Sequence, residues 1–180
     1  MQDEKKFLEQ LNNPKTQEKA FRALVNLYKE RLYWHIRKIL ISHEDTNDVL
    51  QNTFIKIYRG IKNFKGDSKL FSWMYRIATN ESITFLTKRA KEKNVSIDEY
   101  QLNSLHSLQD DILFDGDAIQ LVLQKAIQKL PQKQRLVFNM KYFDNLKYDE
   151  ISEIVGTSVG ALKASYFHAV KKIKEEIENH

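Results

Sequence analysis

The sequence predicts an all-α protein of two small helical domains joined by an acidic linker. Three observations carry that expectation. No stretch alternates convincingly with period two, so nothing reads as a half-buried strand. Only five glycines and two prolines punctuate the 180 residues. Both prolines stand at helix starts, Pro14 before TQEKAFRALV and Pro131 before QKQRLVF. Finally, the segment from Val95 to Asp117 carries Asp98, Glu99, Asp110, Asp111, Asp115 and Asp117 but neither lysine nor arginine. Polar, acidic and without a long periodic face, it reads as a spacer holding at most a turn of helix. The expected division is residues 1–94, 95–117 and 118–180.

In the first block, Phe21, Leu24, Val25, Tyr28, Leu32, Ile36 and Ile39 recur along one helical stripe. After a break at Ser42-His43, Val49, Leu50, Phe54, Ile57, Tyr58 and Ile61 mark a second helix. The loop NFKGD leads into a third, whose apolar positions are Phe71, Met74, Tyr75, Ala78, Ile83 and Leu86, with Ser68 or Asp67 as its cap. Phe71 and Tyr75 are expected inside. Loops this short predict antiparallel neighbours in a bundle.

In the second block, Ile119, Val122, Leu123, Ala126, Ile127 and Leu130 define one amphipathic helix, and Leu136, Val137, Met140 and Tyr142 continue the pattern after Pro131. YDEISEIV is a short helix that Gly156 can end by adopting positive φ. Ser158 stands where an N-cap belongs, and Leu162, Tyr166, Ala169, Val170, Ile173 and Ile177 form the inner face of the last helix. Helix, short helix, tight turn and basic helix in that order constitute a helix-turn-helix, which places one helix in a DNA major groove. On its outer face stand Lys163, Ala164, Phe167, His168 and Lys171. Lys163 and His168 can donate to base edges or phosphate, Ala164 and Phe167 can meet a thymine methyl, and Lys171 suits phosphate.

Charge agrees with that reading. The formal net charge is +5, and cations gather from Lys56 to Lys93 with Phe64, Phe71, Trp73, Tyr75 and Phe85 interleaved. Cations beside aromatic platforms suit single-stranded or melted nucleic acid, whose bases stack while the backbone is neutralised. A hydrophobic content of 42% is enough for real cores. Absence of cysteine excludes disulfides, thiolate zinc sites and thiol nucleophiles. No HExxH, glycine-rich phosphate loop or carboxylate cluster beside a histidine is present, so neither enzymatic activity nor a cofactor or metal is expected. MQDEKKFLEQ lacks the apolar stretch of a signal peptide, and no run approaches the ~18 apolar residues of a membrane span, so a cytoplasmic protein is expected.

Taken together, HEDTNDVLQNTFIKIYRGIKNFKGDSKLFSWMYRIATNESITFLTKR and LPQKQRLVFNMKYFDNLKYDEISEIVGTSVGALKASYFHAVKKIKE resemble the second and fourth regions of the small two-domain sigma factors of bacterial RNA polymerase, the extracytoplasmic-function group. The resemblance implies a promoter-recognition subunit that directs transcription initiation at −35/−10 promoters and melts the −10 element. Asp48, Gln51, Asn52 and Phe54 would dock on the clamp helices of the polymerase's largest subunit, with the flap as a further contact. Asn63, Phe64, Lys65, Gly66 and Ser68 would hold a flipped −10 base, and Trp73, Arg76, Asn80, Thr84 and Lys88 would meet adjacent promoter DNA. Flipping costs unstacking free energy that such a pocket must offset. Ser158, Lys163, Ala164, Phe167, His168 and Lys171 would contact the −35 duplex.

The chain departs from the family pattern in places. Asn52 replaces a usual glutamate, and Lys163, Ala164, His168 and Val170 stand where relatives carry arginine, serine and later arginines. Lysine lacks arginine's bidentate fork, so the −35 element is expected to be read partly through shape and phosphate. The acidic linker would thread the active-site cleft and RNA exit path. An anti-sigma protein is the implied regulatory partner, holding the factor at the inner membrane where it is itself membrane-bound. The alternative is a stand-alone helix-turn-helix regulator. The compositional break and small cores predict blocks that move separately, or else dock with the acidic segment against the Lys56–Lys93 surface.

Overall fold

A computed structural model describes residues 2–105 and 118–178, where all regular structure is helical. The first half contains α1 (Gln2–Asn12), α2 (Gln17–Leu40), α3 (His43–Gly60), a 3-10 turn (Ile61–Asn63), α4 (Leu70–Glu92) and α5 (Ile97–Leu105). The second contains α6 (Ala118–Gln128), α7 (Gln132–Tyr142), α8 (Tyr148–Val155) and α9 (Val159–Glu178). Of the expected linker, Ile97–Leu105 is helix α5, and residues 106–117 lie outside the described residues.

The stripe on α2 does bury Leu24, Leu32, Ile36 and Ile39, against Val49, Leu50 and Ile57 of α3 and Met74, Tyr75, Ala78 and Leu86 of α4. The break after α2 is made by Ile41, at φ 71, and α3 starts where Ser42 Oγ accepts the Asp45 N–H at 3.3 Å. Phe71, expected inside, is only half-buried; the Arg31 guanidinium lies 4.5 Å over its ring.

Helix α1 was not anticipated from its sparse apolar residues. Its Leu11 is fully buried, with Phe7 and Leu8 packed on the same core. It also supplies the cap for α4. That helix starts at Leu70, which leaves Asp67 and Ser68 upstream of the cap position, and the Leu70 N–H donates to Glu4 Oε1 at 2.8 Å instead.

The second half closes over Ala126, Ile127, Leu130, Phe138, Ala169 and Ile173. Its other apolar residues, Val137, Met140, Leu146, Ile151, Ile154 and Leu162, join the core of the first half rather than forming one apart. Tyr142, read as inward, is exposed. The two blocks therefore share apolar surface, chiefly where α8 lies on α4 and α7 meets α2.

Polar groups seal the contact. Asp144, in the turn after α7, meets His35 Nδ1 at 3.0 Å and Lys38 Nζ, while His35 Nε2 is 2.9 Å from Thr79 Oγ1. Asn139 donates to the Lys38 carbonyl at 3.4 Å, and Lys69 pairs with Glu150 at 2.9 Å. Helix α5 is tied in as well. Gln101 donates to the Ile39 carbonyl, and buried Arg135 donates to Gln101, to the Gln128 carbonyl at 2.7 Å and to Asp98 at 3.4 Å. Burial pushes the Arg135 guanidinium below the ordinary arginine value, with Asp98 acting the other way.

Candidate nucleic-acid interface

The helix-turn-helix forms as its sequence implies. Ile151 and Ile154 of α8 and Leu162 of α9 are buried, which fixes the angle between the helices. Gly156 ends α8 at φ 68, its N–H donating to the Ser152 carbonyl at 2.9 Å. Ser158 Oγ accepts the Ala161 N–H at 3.4 Å, so this residue caps α9. Lys163, Ala164, Phe167, His168 and Lys171 are all exposed on the outward face. Lys163 Nζ lies 5.9 Å from the centre of the Tyr148 ring, and Lys141 lies 5.2 Å from the same ring. Tyr148, which sequence reasoning passed over as part of the short helix, thus sits under two cations. Lys171 faces Glu175 one turn on at 3.8 Å, an exposed pair that leaves it available to phosphate.

The second surface surrounds the loop 63–68. Phe64 closes the 3-10 turn, its N–H donating to the Ile61 carbonyl at 3.1 Å. Its ring lies 5.1 Å from that of Trp73, and both are half-buried. Trp73 in turn rests on the end of α3, where a Cβ at Gly60 would stand 3.1 Å from the indole. The pair gives the loop an aromatic floor at its start, and Asn63, Lys65 and Gly66 of the loop are exposed, with Ser68 half-buried. Gly66 has φ 78, a conformation L side chains rarely adopt.

Along α4, Arg76, Asn80, Thr84 and Lys88 all retain exposure. Thr84 and Lys88 face outward. Arg76, however, donates to the Glu153 carbonyl of α8, and Asn80 lines a cavity of about 210 Å³ together with Thr79, Ile83, Ile154, Val155 and Leu162. Cations elsewhere in the basic stretch are partly neutralised: Lys56 pairs with Glu81, and Arg89 with Asp45 at 3.6 Å.

A third surface is on α3, where Asp48, Gln51 and Asn52 are exposed. Phe54 turns inward, edge-on to Phe21 at 6.4 Å. Ile55, one turn from Gln51 and Asn52 and exposed, completes the outward face; its helical spacing from Asp48 was the available signal. Among the described residues no cluster of three or more histidine, aspartate or glutamate side chains could hold a metal ion, and no helix is long and apolar enough to cross a membrane.

A helix-turn-helix with an open basic helix is the architecture of a DNA-binding transcription factor, and here it is joined to a block that carries a loop beside the Phe64–Trp73 pair. Family models for sigma-70 region 2 and sigma-70 region 4 match residues 24–92 and 120–173 respectively. The RNA polymerase sigma-H factor of Pseudomonas aeruginosa is 28% identical over 168 residues, spanning 89% of this chain and 87% of that protein. The ECF RNA polymerase sigma-E factor of Escherichia coli K12 is 27% identical over 172 residues, spanning 91% and 90%. Two solved structures share the fold. CnrH in complex with the cytosolic domain of CnrY has a TM-score of 0.70 at 19% identity, covering 98% of this chain and 97% of that one. RpoE in complex with the anti-sigma factor NepR from Bartonella quintana has a TM-score of 0.69 at 20% identity, covering 89% and 98%.

The chain belongs to the sigma-70 family, in its extracytoplasmic-function group. It is accordingly a promoter-recognition subunit of RNA polymerase, with core polymerase and promoter DNA as partners, and the stand-alone regulator is not favoured. Its family is one of non-catalytic initiation factors.

Proposed function

We propose that the three surfaces divide the work of promoter recognition. Loop 63–68 with Trp73, Arg76, Asn80, Thr84 and Lys88 engages the melted −10 strand, a base stacking over the Phe64–Trp73 floor while the cations meet phosphate. Helix α9 enters the −35 major groove through Lys163, Ala164, Phe167 and His168, with Lys171 on the backbone and Ser158 holding the helix start. Asp48, Gln51 and Asn52, with Ile55 beside them, dock on the clamp helices of core polymerase, and Phe54 supports that face from within. Residues 2–94 and 118–178 then act as −10 and −35 modules. The chain itself performs no chemistry. Both solved relatives named above are complexes with CnrY or NepR, which supports an anti-sigma partner here too, one that holds the factor at the inner membrane where it is membrane-bound.

The observation that carries this reading is the joining, in one chain, of an open basic recognition helix to a loop with an aromatic floor. Transcription in vitro with purified core polymerase and a library of promoter DNAs tests it. Core-dependent transcripts from a shared start site, lost on Trp73→Ala and Lys163→Ala, are expected. Transcripts indifferent to both substitutions would remove these surfaces from promoter recognition.

A further inference from the structure

We infer that helix α1 is a bracket for the −10 loop, in which Glu4 holds the start of α4 and so fixes the shape in which residues 63–68 meet the strand. Glu4 is thus a positioning residue, and the inference rests on the assignment of that loop to the −10 element.

The loop is gripped at both ends. On its upstream side α1 packs against the 3-10 turn Ile61–Asn63, whose Ile61 is buried in the same core as Leu11. On its downstream side Glu4 Oε1 accepts the Leu70 N–H at 2.8 Å. Helix α1 is itself held in place. Phe7, Leu8 and Leu11 lie on the core, and Thr16 Oγ1 donates to the Gln10 carbonyl at 2.8 Å, which closes the turn into α2. Because α1 precedes the stretch matched to sigma-70 region 2, its hold on the loop comes from outside that stretch.

Helix α4 does not cap itself. Its cap position is Lys69, whose ammonium group can only donate, and its first turn has no acidic residue. The Glu4 carboxylate answers both the unpaired N–H and the positive end of the helix dipole, in a charge-assisted bond. Leu70 is 2% exposed, so its N–H has little access to water. Without Glu4 that donor is left unsatisfied unless the backbone before it moves outward. Such a movement carries the loop with it. Gly66 at φ 78 and the Phe64–Trp73 contact at 5.1 Å belong to one particular loop shape. Extruding a base already costs unstacking free energy, and a loop that must also be ordered on binding holds the strand more weakly.

The test uses holoenzyme assembled from core polymerase and the full chain, with a promoter identified by the transcription experiment. Glu4→Ala should weaken binding of the single-stranded −10 segment by about fivefold or more. Binding of duplex −35 DNA, affinity for core and helical content should be unchanged. Glu4→Gln keeps an acceptor oxygen at the same reach and should bind the −10 strand as the native protein does. Glu4→Leu, which keeps bulk but removes the acceptor, should match Glu4→Ala. In the free chain, hydrogen exchange of the Leu70 amide should quicken by about tenfold or more in Glu4→Ala, and much less in Glu4→Gln.

A Glu4→Ala holoenzyme as tight on the −10 strand as the native one overturns the inference, as does a Leu70 amide that exchanges at the native rate in that variant. Equal losses on the −10 strand, the −35 duplex and core overturn it too, since Glu4 would then serve stability alone. A Glu4→Gln protein as weak as Glu4→Ala does the same for the hydrogen bond. Failure of the underlying assignment reads differently: Trp73→Ala then leaves −10 binding unchanged, and Glu4 positions nothing for that strand. Where Trp73→Ala weakens −10 binding and Glu4→Ala does not, the loop keeps its role and the bracket alone falls.

Discussion

Arg76 on α4 donates a hydrogen bond to the backbone carbonyl of Glu153 on α8. A side chain suited to promoter phosphate is thereby occupied by the helix that precedes the recognition helix. Because a carbonyl is the acceptor, no substitution at Glu153 can abolish the bond directly; only Arg76 can be changed. Arg76→Ala should therefore make the free chain less compact, since one fastening is lost. In the holoenzyme it should also weaken promoter opening, since a phosphate ligand is lost. Scattering on the free chain and permanganate reactivity of promoter thymines read the two effects separately. Weaker opening without any change in compactness would leave Arg76 a DNA contact alone.

Much of this architecture could be read locally. The turn at Gly156, the cap at Ser158 and the buried Leu162 are neighbours in the chain, so helical spacing and turn chemistry place them. The outward row on α9 follows from the same spacing. Helix α1 escaped because its packing depends on only Phe7, Leu8 and Leu11, and its second role, capping α4 through Glu4, joins residues 66 positions apart. His35 and Asp144 are 109 positions apart, and no local spacing pairs them. Small cores suggested separate bodies; instead Ile151, Ile154 and Val137 complete one hydrophobic interior with Met74 and Ala78. Such burial is decided by shape across the seam, which periodicity within one helix does not encode.

On α3 the structure separates two residues that shared one expectation. Asp48 is exposed, whereas Phe54 packs edge-on against Phe21. Asp48→Lys should weaken association with core polymerase at unchanged helical content. Phe54→Ala should instead lower stability, by up to about 3–5 kcal/mol for a fully buried phenylalanine and by less for this half-buried one. Fluorescence anisotropy with labelled core, beside urea denaturation, distinguishes the two behaviours. A stable Phe54→Ala chain with reduced core affinity would return Phe54 to the docking face.

Lys163 and Lys171 are predicted to differ in kind. Lys163 stands in the first turns of α9, where a helix meets base edges, while Lys171 lies two turns further along. Lys163→Ala should cost about 1–3 kcal/mol on the preferred −35 sequence and less on scrambled duplex. Lys171→Ala should weaken both equally and reduce the slope of log K against log salt by about one. A salt titration on two duplexes decides it, and equal losses for Lys163 on both would make it a phosphate ligand.

Gly156 tests the turn itself. At φ 68, with no atom within 4 Å of where a Cβ would stand, the cost of a side chain is one of backbone conformation rather than collision. Gly156→Ala should destabilise the fold by about 1–2 kcal/mol. Asparagine, which tolerates this region better, should cost less. Chemical denaturation of the three proteins gives the ranking; equal stability would mean that the turn relaxes at no cost.

Acidity should release the two blocks from one another. Burial on its own would raise the Asp144 carboxyl, but hydrogen bonding and charge from His35, together with Lys38, outweigh it and hold the group below the ordinary carboxylate value. Tyr75 on α4 also faces this site, and Glu30 and Arg31 of α2 line the adjoining cleft. Glu150 is lowered as well, chiefly by the Lys147 N–H, against an opposing effect of burial, with Lys69 adding to the lowering. For both carboxylates the closed form holds the proton more weakly than the open form. Their stabilisation is therefore complete above an ordinary carboxylate pKa of about 4 and is lost as pH falls through the lowered closed-state values. The radius of gyration should accordingly owe no change to these two groups between pH 8 and pH 5, then rise below about pH 4. Asp144→Asn, already without the charge, should show a larger radius at neutral pH and a shallower acid transition. A native chain that keeps its compact dimensions at pH 3 would mean that these carboxylates do not hold α8 against α4.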